Sequence, residues 1–108
     1  MNTQEIKEGK TIAIIAYMTF VGALIALSMN SDAKNNYARF HIKQAVGIHL
    51  IQISLGLILN GFDSLLVIAP FLIFVLVLWV FGLANAIQGS TQPIPLVGSL
   101  FQKWFKFI

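Results

Sequence analysis

The chain has 108 residues, of which 57% are hydrophobic and 10% charged, and a net charge of +3. A soluble domain carries about 25% charged residues, and one domain of this size could not hide so much apolar surface, so the bilayer is the expected solvent. The lack of cysteine excludes disulfides, thiol catalysis and zinc-thiolate sites, and the scattered cations form no continuous stripe for nucleic acid.

Lys7 and Lys10 precede an apolar run over residues 11–29 that would reach about 28 Å as a helix, close to the ~30 Å hydrocarbon thickness. The run is longer than a usual signal-peptide core and no small-residue cleavage site follows, so it reads as a retained first span. Asn30-Ser31-Asp32 then reads as a turn. A second helix is expected from near Asn36 to Asn60-Gly61, with a charged, amphipathic start over 37–44 in the headgroup region. Its membrane part lies near 45–60 and is interrupted by His49, Gln52 and Ser54, so it belongs inside a bundle or against partner helices. A tight turn over 60–64 leads to a third span at 65–87, about 34 Å long, in which Pro70 is an expected kink.

After Gly89, Pro93-Ile94-Pro95 is expected to break the chain. The tail, 96–108, reads as an amphipathic helix too short to span and suited to lying flat in the interface. Ser99, Gln102, Lys103 and Lys106 take one face; Leu100, Phe101, Trp104 and Phe105 take the other. The expected fold is a single all-α integral membrane domain over 1–108, a bundle of about three transmembrane helices plus this interfacial helix. With three spans, Lys7 and Lys10 share one side, and Lys34, Arg39, Lys43, Lys103 and Lys106 the other. That bias places the first loop and the C-terminus in the cytoplasm.

On the second helix His41, Gln44, His49, Gln52, Gly56 and Asn60 fall within an arc of about 160°. Such a stripe can line a hydrated path or hydrogen-bond neighbouring helices. The simpler, interhelical reading is preferred for Gln52 and Asn60, while for His41 and His49 the two readings are balanced. Asn85 on the third span needs buried amide partners in the same way. Gly22, Ala26 and Asn30 form one small-residue row, and Gly82, Asn85 and Gly89 another; with Gly56 these are packing signals. Arg39, Lys43, Lys103, Trp104 and Lys106 read as cytoplasmic anchors, with an acidic lipid or partner as the alternative role for Arg39 and Lys43.

A metal site fits poorly, because His41 and His49 stand about 12 Å apart along the axis and no carboxylate joins them. No serine sits in a nucleophile elbow, so an enzyme is not expected, nor any cofactor.

Three stretches carry a resemblance: Glu8-Gly9-Lys10-Thr11-Ile12-Ala13 leading to Tyr17; Arg39-Phe40-His41-Ile42-Lys43-Gln44-Ala45; and residues 82–98 with Asn85-Ala86, Gly89 and Pro93-Ile94-Pro95-Leu96-Val97-Gly98. Together they resemble the bacterial branch of the family that includes the small polytopic subunit of the chloroplast inner-envelope protein translocon. The resemblance implies a helical, non-enzymatic component of the bacterial inner membrane, associated with protein import. The plastid members have four spans, against three expected here. The expected role is therefore a translocon-like membrane subunit, working as a homo-oligomer or with a larger membrane partner. The alternatives are a small oligomeric ion or solute channel and a non-transporting scaffold subunit.

Overall fold

The structure, a computed structural model, describes residues 2–94 and 97–108. The described residues form five helices and no strand: α1 Thr3–Met18, α2 Phe20–Ala33, α3 Asn36–Leu59, α4 Leu65–Gln88 and α5 Gly98–Trp104. The all-α expectation holds. Pro95 and Leu96, part of the expected chain break and of the start of the tail, lie outside the described residues.

One expectation is corrected at the start of the chain. The run over 11–29 is not one helix, because Thr19 breaks it. Thr19 is extended (φ −150°, ψ 173°), and its hydroxyl accepts the Gly22 N–H at 3.0 Å. A threonine can satisfy a free N–H of a new helix in this way, so it starts α2 where an aliphatic residue would continue α1.

The direction of α2 follows from its far end. Asn35, two residues past α2, donates its side-chain amide to the Glu5 carbonyl in the first turn of α1 at 2.8 Å. Thirteen helical steps along α1 carry the chain from Glu5 to Met18, roughly 20 Å. The chain therefore travels down α1, turns at Thr19 and comes back along α2 to the same end. Gly22 makes the turn tight, since a Cβ there would fall on the Ile15 carbonyl oxygen. Asn30 and Asn35 close the other end by exchanging two side-chain-to-backbone bonds, at 2.9 and 3.2 Å.

Asn35 also caps α3, accepting from the Ala38 N–H at 2.9 Å. α3 then runs parallel to α1, as its contacts pass from Asn35–Glu5 to His49–Ala16. After the turn at residues 60–64, α4 returns antiparallel and ends at Gly89 in the left-handed region (φ 79°) beside Ile6. Pro70 lies inside α4, which stays a single helix. α5 lies against the first half of α3, with Phe101 over Gly47 and the Gln102 amide donating to the Phe40 carbonyl at 2.9 Å.

Burial divides the molecule, which is 48 Å long and about 22 Å across. At one end α1, α2, the first half of α3, the second half of α4 and α5 enclose a core around Ala13, Tyr17, Tyr37, Ile42, Ile48 and Phe101. Side chains on α1 lean toward its N-terminus, so Tyr17, near the end of the helix, lies back along the bundle into this core. At the other end there is little packing. The last buried residue of α3 is His49, and α4 buries nothing before Leu78. Both helices are long and apolar enough to cross a membrane.

Candidate functional site

The polar residues of α3 divide in the same way. His41 is fully buried and holds two hydrogen bonds, Nε2 to the Ser90 carbonyl and Nδ1 to the Tyr17 hydroxyl, each 2.7 Å. A carbonyl can only accept, so Nε2 carries the hydrogen, and Nδ1 of the neutral ring accepts from the tyrosine. Tyr37 packs edge-on against the same ring and donates its hydroxyl to the Ala86 carbonyl at 2.7 Å, near the end of α4. His41 and the two tyrosines thus tie α1, α3 and α4 together and hold Ser90 beyond the end of α4.

One turn on, Gln44 spans the segment after α4. Its oxygen accepts from the Ile94 N–H at 3.0 Å, and its amide donates to the Gly98 carbonyl at 2.9 Å. Gly98 must be glycine for this closeness, because a Cβ would lie 2.9 Å from the Gln44 oxygen and 2.8 Å from Pro93 backbone. Gln44, from the Phe-His-x-x-Gln element, thus meets Ile94 and Gly98, half a chain away in sequence.

His49 and Trp79 meet the broken end of α1. The last carbonyls of a helix have no partner within it. His49 Nε2 donates to the Ala16 carbonyl at 3.0 Å, and Trp79 Nε1 to the Tyr17 carbonyl at 2.6 Å. The break at Thr19 is therefore stabilised from α3 and α4. Asn85 turns inward on its own helix, donating to the Phe81 carbonyl at 2.9 Å.

Gln52, Gly56 and Asn60 sit elsewhere. All three are exposed, and they line an open cleft of about 780 Å³ together with His49. The α1–α2 turn (Met18, Thr19, Phe20) forms its floor, and Phe71, Val75 and Trp79 of α4 form the opposite wall. The sequence pattern favoured interhelical bonds for Gln52 and Asn60, but the structure gives the internal bonds to His41, Gln44 and His49 and leaves those two amides facing the cleft.

Of the expected packing residues, Gly22 and Ala26 are buried on α2, and Gly82 packs under Tyr17, whose ring a Cβ would meet at 2.6 Å. Gly89 caps α4. Gly56 is corrected: a Cβ there would meet nothing within 4 Å, because the hairpin is open at that level. Lys103, Trp104 and Lys106 are exposed at the α5 end, and Lys43 lies near both Arg39 and Lys106. Among the described residues, no group of three His, Asp or Glu side chains is placed to hold a metal ion.

Sequence reasoning missed the roles of Thr19, Tyr17, Trp79 and the Asn30–Asn35 pair. One signal was present, a threonine followed three residues later by glycine within an apolar run. No protein-family model, curated protein or solved structure matches the chain.

Proposed function

We propose that the chain is a non-enzymatic subunit of the bacterial inner membrane that receives another transmembrane helix in the cleft between α3 and α4. α4 supports the bilayer reading: it has 24 residues and no charge, and it buries only Leu78, Gly82, Asn85 and Ala86. A core helix of a soluble protein would bury far more of such a surface.

The fold suggests a topology of two crossing helices, α3 and α4, with α1 and α2 as a pair that enters and leaves on the same side. With Lys10 at the headgroups, residues 11–18 descend roughly 12 Å, less than half of a ~30 Å core. Backbone that breaks at that depth needs protein around it, and His49 and Trp79 supply the partners. This topology replaces the expected three spans, and it gathers all seven lysines and arginines at one end. The positive-inside rule then places the N-terminus, the α2–α3 connection and the C-terminus in the cytoplasm.

The observation that carries the functional reading is the cleft itself. It presents Gln52 and Asn60, two exposed amides that hydrogen-bond to no other side chain among the described residues, within a mostly apolar wall. In hydrocarbon such amides gain by pairing with a polar group on an incoming helix. The resemblance to a translocon subunit agrees with a role in receiving polypeptide segments. A pore through one copy is disfavoured, because His41, Gln44 and His49 are engaged inside the bundle.

A photoreactive amino acid at Gln52 should crosslink to a second polypeptide in native membranes. Gly56→Trp, at a position where an added Cβ meets nothing within 4 Å, should abolish that adduct without changing the thermal midpoint. Adducts with lipid alone would contradict the proposal.

A further inference from the structure

At the cationic end, a second cavity of about 340 Å³ lies between the end of α2, the start of α3 and the residues after α5. Its polar lining is Asn30, Ser31, Lys34 and Arg39; its apolar lining is Leu27, Ile42, Phe107 and Ile108. The Arg39 Nε is buried and has no hydrogen-bond partner among the described residues. A buried, unpaired guanidinium nitrogen is costly, and its planar donor fork matches a phosphate.

We infer that this cavity binds the phosphate of an anionic phospholipid, held by Arg39 and Lys34, with an acyl chain against Leu27, Ile42 and Phe107. No side chain lining the cavity is acidic. Asp32, the nearest carboxylate in sequence, is exposed and is not part of the lining. Lys43 and Lys106 add positive charge close by. The C-terminal end of α2 and the N-terminal end of α3 meet here with opposing end charges, so the cationic side chains set the sign. The shared chemistry is a phosphate group. The apolar half of the lining selects a lipid over the free anion, which would leave those side chains without a ligand.

This site rests on the bilayer reading proposed above, and the test separates the two. The wild-type protein, Arg39→Gln, Lys34→Gln and Lys7→Gln are reconstituted into nanodiscs of phosphatidylcholine with or without phosphatidylglycerol. Retained lipid is then counted by native mass spectrometry after release. Wild type and Lys7→Gln should retain phosphatidylglycerol in preference to phosphatidylcholine. Arg39→Gln should weaken retention about tenfold, the loss of one charge-assisted contact. Lys34→Gln, at an exposed position, should weaken it less and keeps the test valid if Arg39→Gln does not fold.

Equal retention of both lipids, or retention unchanged in both cavity variants, would overturn the site. Equal thermal stabilisation by 10 mM inorganic phosphate in lipid-free detergent would overturn the lipid as its source, on a scale of about tenfold in affinity. Failure of the wild-type protein to enter nanodiscs would instead count against the bilayer reading.

Discussion

The two halves of α3 belong to one uninterrupted helix, yet they have opposite surroundings. From Tyr37 to His49 most inward side chains are buried, and Tyr37, His41, Gln44 and His49 each have a defined partner on another element. From Leu50 to Leu59 none is buried, and Gln52 faces open space. The difference lies in the neighbours. The α1–α2 pair turns at Thr19, level with His49, and covers only the first half. A break worth one cap decides which polar residues become structural and which stay available.

That contrast can be broken from the packed side. Gly22→Val should have the largest effect. Its added carbons fall on backbone of α1 that cannot swing away, and overpacking of this kind costs about 3 kcal/mol. The expected result is lost resistance to denaturing detergent together with loss of the α1–α2 pairing. Next comes His41→Phe, which keeps the ring volume but leaves the Tyr17 hydroxyl and the Ser90 carbonyl unpaired. A loss of about 2 kcal/mol is expected from two orphaned buried groups, read as a lower unfolding midpoint in mild detergent. Thr19→Ala removes only the cap bond to Gly22 and should cost about 1 kcal/mol by the same measurement.

The smallest effect is expected at the open end. Leu66 is 89% exposed, and Leu66→Ala should change stability by less than about 0.5 kcal/mol in dilute detergent. A loss there as large as that of His41→Phe would mean that the distal hairpin is packed and that the contrast is false.

The sequence shows some of this better than the rest. The apolar runs and their polar interruptions reveal helices, and α3 and α4 follow from hydropathy and turn residues alone. The fold-back of α1 and α2 does not, because Thr19 is one weakly polar residue in a run otherwise suited to a single span. Its effect depends on His49 and Trp79, which arrive from helices 30 and 60 residues later to meet the exposed carbonyls. The polar stripe was visible as a pattern, but helical periodicity places residues on a face without saying what that face meets. His41 and Gln52 share an arc and differ only in how far the neighbouring pair extends. Arg39 read as an anchor; its buried nitrogen emerges only once the chain folds back to bring Leu27 and Phe107 around it.

In the topology proposed above, the chain enters the bilayer and returns before it crosses. The natural sequence has no cysteine, so single-cysteine variants report cleanly. Thr3→Cys, Asp32→Cys, Asp63→Cys and Phe107→Cys can each be labelled with a membrane-impermeant maleimide in sealed inside-out and right-side-out vesicles. The fold-back predicts that positions 3, 32 and 107 label together from the cytoplasmic face and that position 63 labels from the opposite face. Labelling of position 3 together with 63, opposite to 32, would show a third span and contradict the account.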